Sequence, residues 1–249
     1  MMNISEAHRC LQLGDVAQAE RIAKSIARKD KKNIDALMLL AQIYGNSQRL
    51  PECADALRKA QHLFPRDVSI SYNLGVALTM LQKHEQALEC YQKVVALSPS
   101  HINARMNVAA SYMALNKKHE ASQALKALRK MAPQSRDILI NYLSSLIDAG
   151  EFQECLTEYD TIENNGERDG ELMTLKARAL DGLNRPHDAI QYFKLALQID
   201  PSLPDAYNNL SVALTRIGEF ETARDHVEAA LSKKHDMVEA WINLGHVKH

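Results

Sequence analysis

The sequence predicts an all-α chain built by repetition, and three observations carry that prediction. Pro65, Pro99, Pro133 and Pro201 are separated by 34, 34 and 68 residues, so they share one period of 34. Within a period the apolar residues fall at helical spacing, as Leu37, Leu40, Ala41 and Tyr44 do at i, i+3, i+4 and i+7. Only 5% of the chain is aromatic, Gly and Pro are scarce, and the common residues (Ala, Leu, Glu, Lys, Gln) are strong helix formers.

Laid out at this period, the chain gives seven rows, 1–33, 34–67, 68–101, 102–135, 136–169, 170–203 and 204–237, then a lone first helix at 238–249. Each row opens on a helix, and a break follows about four residues after its last apolar position (the column of Tyr44), at Gly14, Gly150 and Gly218 or at Asn116 and Asn184. A second amphipathic segment then runs up to the Pro, as in HEQALECYQKVVALSP at 84–99. One column is small in every row: Ala19, Cys53, Ala87, Ala121, Cys155, Ala189 and Ala223. It lets paired helices approach closely, and it accounts for two of the four cysteines by packing. Row 136–169 departs most, with Leu143 at a normally small position and NNGERDG at 164–170 where Pro is expected.

Composition narrows the function. Thirty basic against 31 acidic residues leave a net charge of −1, which argues against a dedicated nucleic-acid or membrane-surface protein. The short basic cluster RKDKK at 28–32 reads as a solvated loop. No stretch approaches the roughly 20 apolar residues of a membrane span, and MMNISEAHRC lacks a signal peptide, so a cytoplasmic protein is expected. Cys10, Cys53, Cys90 and Cys155 form no CxxC pair and read as free thiols.

This pattern resembles the tetratricopeptide repeat family along the whole chain. The residues that carry the likeness are Gly75 with Leu78, Ala87, Tyr91 and Pro99, and Leu210 with Leu214, Ala223 and Ala230. The resemblance implies a right-handed superhelix, an α-solenoid of about seven helix-turn-helix repeats plus one helix, its concave face lined by the first helix of each repeat. Each hairpin then buries its apolar face only by stacking on neighbours.

A further column decides the functional reading. Asn73, Asn107, Asn141, Asn209 and Asn243 share one register, where other rows hold Ser5, Leu39 and Leu175. With 14 Asn in 249 residues, chance would place about half an Asn in eight positions; five are found. At about 100° per residue, Asn73 points roughly 150° from the packed positions Ser71, Leu74, Gly75 and Leu78. A solvated helix face would favour Glu, Lys or Gln, and the residues one turn on (Val76, Ala110, Ser144, Val212) are uncharged. A carboxamide offers one acceptor and two donors, so it can bond both N–H and C=O of one extended residue. Helices packed about 8–10 Å apart would meet roughly every third residue of an extended guest.

Such a ladder is similar to that of the repeat domain of O-linked N-acetylglucosamine transferases. The resemblance implies that these five Asn hold protein substrates in extended form for a catalytic domain, with Leu39 and Leu175 interrupting the grip. Arg178 and Arg216, also directed to the groove, suggest an acidic guest. A chaperone-tail carboxylate clamp is disfavoured: Ser69, Asn103, Asp137, Asp205 and Glu239 stand four residues before each Asn, and Tyr72, Met106, Ile140, Asn208 and Ile242 just before it, none a cation.

No catalytic motif or phosphate loop is present, so no enzyme and no cofactor is expected in this chain. His246 and His249 at i, i+3 are two ligands without a third. The end, EAWINLGHVKH, carries Trp241, Leu244 and Val247 as if another helix should follow. The chain therefore reads as the N-terminal part of a longer protein, or as a homodimer through its C-terminal helix. The expected function is a protein–protein interaction module that binds extended peptides, recruiting substrates for an enzyme such as a glycosyltransferase. The alternative is a scaffold that assembles through its terminal repeats.

Overall fold

The computed structural model describes residues 3–163 and 169–247. Residues 164–168 of the stretch NNGERDG and the terminal His249 lie outside the described residues. The described residues form fifteen helices and no strand. They divide into two compact units, 1–128 and 129–249.

The first unit begins with α1 (Ile4–Gln12) and α2 (Val16–Lys29), followed by α3 (Ile34–Asn46) and α4 (Leu50–Leu63). Next come α5 (Val68–Met80), α6 (His84–Leu97), α7 (Ile102–Ala114) and α8 (Lys118–Met131), whose last residues cross the unit boundary. The second unit continues with α9 (Arg136–Ala149), α10 (Phe152–Glu163), α11 (Gly170–Gly182) and α12 (Pro186–Ile199). It closes with α13 (Pro204–Arg216), α14 (Phe220–Lys233) and α15 (Val238–Val247).

Two kinds of turn repeat every 34 residues. The first ends each odd-numbered helix from α1 to α13 on one left-handed residue: Gly14, Gln48, Gln82, Asn116, Gly150, Asn184 and Gly218, with φ between 57° and 84°. Gly reaches this region freely and Asn more readily than most residues, so five of the seven match the breaks read from sequence. Gln48 and Gln82 do not announce a turn, yet the repeat forces the same conformation on them. The second turn ends on the residue that caps the next odd-numbered helix. Asn33, Asp67, His101, Ser135 and Asp169 accept, through their side chains, the N–H of Ala36, Ile70, Ala104, Ile138 and Leu172. Leu203 has no capping side chain; Pro204 beside it supplies a preset φ instead.

The small column is buried in every row, from Ala19 to Ala223. In the first unit this apolar seam is continuous from Ala7 on α1 to Tyr91 on α6. Gly75 matters here: a Cβ on it would stand 2.6 Å from Cε1 of Tyr91, a ring 2% exposed. Among the described residues the second unit buries one charged side chain. Lys176 occupies a column that is otherwise mostly aliphatic, yet it is only 8% exposed. Its ammonium lies 4.6 Å from the ring centre of Tyr159, 4.4 Å from that of Tyr192 and 3.2 Å from Asp160 Oδ1. Two ring faces and a carboxylate replace the water it gives up. No described helix is long and apolar enough to cross a membrane.

Candidate functional site

The caps set the register of the Asn column. Asn73, Asn107, Asn141, Asn209 and Asn243 each lie six residues after the residue that precedes their helix, so each falls on the same turn. The structure nevertheless gives these side chains three different surroundings.

Asn73 on α5 is exposed, and its carboxamide has no hydrogen-bond partner among the described residues. It lines a cavity of about 590 Å³ between α3 and α5. Met38, Leu39 and Gln42 form one wall, Val76 and Met80 the other, and Cys53 and Leu57 of α4 lie at the bottom. His8 of α1 and Asp35 and Asn46 of α3 also border it. Leu39, the Asn-column residue of the preceding hairpin, is 1% exposed. The site is therefore a slot with mainly apolar, partly thioether walls and the Asn73 amide, beside those of Gln42 and Asn46, at its rim. Met walls adapt to varied side chains, and the amide offers both a donor and an acceptor to a main chain.

Asn107 and Asn243 each reach back to the preceding odd-numbered helix. Asn107 donates from Nδ2 to Tyr72 Oη at 3.4 Å, and Tyr72 in turn lies against the His101 ring, centroids 5.0 Å apart. Asn243 donates to Oδ1 of the buried Asn208 at 2.8 Å. In both pairs the acceptor is the residue just before the Asn column, one hairpin earlier. Asn141 and Asn209 turn back on their own helices, donating to the carbonyls of Asp137 at 2.7 Å and Asp205 at 2.8 Å. Leu175, which interrupts the column, is buried.

Arg178 and Arg216 are held by carboxylates of the preceding hairpin. Arg178 Nη2 lies 3.5 Å from Asp148 Oδ1. Arg216 Nη1 donates to Asp181 Oδ1 at 2.6 Å and to its carbonyl at 3.1 Å, and Nη2 donates to Asn184 Oδ1 at 2.8 Å. An acidic guest would compete with these partners.

Sequence reasoning did not find the bridging role of Asn107 and Asn243. The signal was available: the pairs are 35 residues apart, one period plus one. Among the described residues no group of three or more His, Cys, Asp or Glu is placed to hold a metal ion.

Comparison with known proteins gives matches to tetratricopeptide repeat models over residues 68–101, 143–204 and 182–244, together more than half of the chain. The tetratricopeptide repeat-containing protein trd-1 of Caenorhabditis elegans is 26% identical over 171 residues, covering 68% of this chain and 22% of that protein. A peroxisomal targeting signal receptor of Kluyveromyces lactis is 29% identical over 92 residues, covering 37% of this chain and 16% of the receptor. The chain thus spans about a fifth of the length of these relatives. A crystal structure of a tetratricopeptide repeat protein from Parabacteroides merdae superposes with a TM-score of 0.63 at 18% identity, covering 99% of this chain and 97% of that one.

Proposed function

We propose that this chain, which belongs to the tetratricopeptide repeat proteins, holds an extended peptide segment of a partner protein in the slot between α3 and α5. Repeats of this family mediate protein–protein interaction. The observation that carries the finer reading is Asn73: an exposed carboxamide with no protein partner, set over the walls formed by Met38, Val76 and Met80. The amide bonds the guest's main chain, and the slot below takes an apolar side chain. The Kluyveromyces relative named as a targeting signal receptor fits a role in holding a segment of another protein.

The reading gives the other Asn a lesser part. Asn107, Asn141, Asn209 and Asn243 already donate to protein acceptors. Each would forgo a bond worth about 0.5–1.5 kcal/mol to take a guest through the same N–H. Delivery of the segment to an attached or partner enzyme, a glycosyltransferase by resemblance, rests on the Asn column alone.

The test is a peptide library selected on the full chain, followed by titration of the selected peptides against Asn73→Ala. Affinity should fall by about three- to tenfold, and N-methylation of the guest's backbone at one residue should weaken binding equally. Selected peptides that bind Asn73→Ala and Val76→Glu as tightly as the parent chain would sink the reading.

A second reading, self-assembly, has its own observation. On α15, Val238, Trp241 and Ile242 are 65%, 48% and 53% exposed. Light scattering should then report a dimer that Trp241→Glu converts to monomer, whereas a monomer at high concentration excludes it.

A further inference from the structure

A second groove lies on the other side of α3. Its floor is formed by Leu37, Leu40 and Tyr44 of α3 with Ala27 of α2 and Ala56 of α4, and it encloses about 720 Å³. None of these residues lines the Asn73 slot, which uses Met38, Leu39 and Gln42 of the same helix. The groove runs along helix axes. On α2 it is lined by Lys24, Ala27 and Arg28, at i, i+3 and i+4, with Lys31 just beyond the helix end, and on α4 the lining runs from Glu52 to Leu63. At 1.5 Å per residue that is about 17 Å, or three helical turns.

The charges at its rim are unbalanced. Its two carboxylates are already neutralised: Glu52 by Arg49 at 3.0 Å and Asp55 by Arg58 at 3.0 Å. Lys24 is matched by Glu20 at 2.6 Å. Arg28, Lys31 and Lys59 have no ion-pair partner among the described residues, and all three are exposed. Arg28 lies in the last turn of α2, where a cation is favoured by the helix dipole. That account does not extend to Lys59, in the interior of α4, or to Lys31, beyond the end of α2.

We propose that this α2–α4 groove is a second docking site, for an acidic amphipathic helix of a protein partner. An apolar stripe of the guest lies on Leu37, Leu40, Tyr44 and Ala56, and Asp or Glu flanking the stripe pair with Arg28, Lys31 and Lys59. The linear groove between two helices fits the helix-in-groove mode, which is read by apolar anchors at i, i+3, i+4 and i+7. The apolar floor of Leu37, Leu40 and Tyr44 favours a helix with an apolar stripe over a nucleic-acid backbone, which has no such stripe to lay on it.

The site can be tested on the full chain with a labelled peptide of roughly 14 residues, about four turns, built of Glu, Ala and Leu with Leu at helical spacing. Saturable binding that weakens by about tenfold or more in Arg28→Glu/Lys31→Glu/Lys59→Glu, and by a smaller factor in Lys59→Glu alone, is the expected result. Affinity should also fall with added salt and stay unchanged in Asn73→Ala, which separates this site from the slot. Unchanged far-ultraviolet dichroism confirms that the variants fold. Four results would each overturn the proposal: no saturable binding of the peptide; equal binding to the triple variant; equal binding of a peptide of the same composition with its Leu scrambled; or displacement of the peptide by oligodeoxythymidylate.

Discussion

Asn243 of α15 donates from Nδ2 to Oδ1 of Asn208 on α13 across 2.8 Å, and Asn208 is 6% exposed. The bond joins α15 to the first helix of the hairpin before it. Replacing Asn243 by Ala leaves the buried Asn208 oxygen without this donor, at a cost of about 1–3 kcal/mol. Because α15 joins the second unit through Ala240 and Leu244 packed on Val227 and Ala230, the loss should appear first there. Amide hydrogen exchange in α15 of Asn243→Ala should accelerate well beyond that of α11 and α12. Asn208→Leu in the same chain removes the orphaned group and should recover part of the loss in urea denaturation.

Gly75 and Gly182 offer a controlled contrast. A Cβ on Gly75 would meet Cε1 of Tyr91 at 2.6 Å, and one on Gly182 would meet Cε1 of Phe152 at 2.4 Å. Tyr91 is fixed: it is 2% exposed and its hydroxyl lies 3.1 Å from Thr79 Oγ1. Phe152 is half-buried and has room to swing outward. Gly75→Ala should therefore lose about 1–3 kcal/mol to overpacking even after a helix-propensity gain of about 1 kcal/mol. Gly182→Ala should come out near neutral, since propensity offsets a mobile ring. Urea midpoints of the two variants test the difference.

Much of this fold could be read from sequence because each repeat is built from local signals. The 34-residue period, the small column from Ala19 to Ala223 and the turn residues Gly14, Asn116, Gly150, Asn184 and Gly218 are residue types chosen by short-range physics. The site was legible only to its register. Which Asn is free depends on the residue 35 positions earlier, Tyr72 for Asn107 and Asn208 for Asn243, and a column read alone does not contain it. Arg216 follows the same rule, with Asp181 lying 35 residues before it, while Arg178 finds Asp148 in the preceding hairpin at a separation of 30. Lys176 shows the limit from the other side. A charged residue in an apolar column is stabilised by Tyr159, Tyr192 and Asp160, three partners that only the packed helices bring together.

The turn column predicts stabilising substitutions. Gln48 and Gln82 have φ of 57° and 58°, where a side chain with a Cβ costs about 1–2 kcal/mol and Gly nothing comparable. Gly also has more freedom to lose on folding, so Gln48→Gly and Gln82→Gly should each gain about 0.5–1 kcal/mol. The reverse changes, Gly150→Ala and Gly218→Ala, should lose a similar amount, with φ of 78° and 84° and nothing within 4 Å of the added Cβ. Backbone strain offset by glycine's folding entropy, and not collision, then sets the effect, which thermal denaturation of the four variants would measure.

Thiol chemistry should report burial one cysteine at a time. Cys155 is fully buried, and burial pushes its thiol up to about 12, so it holds almost no thiolate at neutral pH. Burial also raises the thiols of Cys53 and Cys90, whereas Cys10 is only half-buried. Since the thiolate is the reactive form, a disulfide reagent should label Cys10 first under native conditions. Cys155 should react at the rate of unfolding. Prompt labelling of Cys155, located by peptide mass, would contradict its place in the small column.

His226 on α14 gives the pH dependence a sign. It is half-buried against Tyr207, ring centroids 5.9 Å apart, and the charges of Lys194 and Asp225 act on it. Burial, and then the Lys194 ammonium, hold its pKa below the ordinary value of 6.5, while Asp225 acts weakly the other way. A histidine depressed in the folded state binds fewer protons there than in the unfolded chain, so the stability it contributes is full above about pH 6.5 and is lost as pH falls toward its folded pKa. The other histidines add their own slopes, so the informative quantity is a difference. The stability of His226→Gln relative to the parent chain, measured by urea denaturation from pH 7.5 downward, should rise as the pH drops. A difference that is flat across that range would show that burial of the imidazole does not disfavour its charged form.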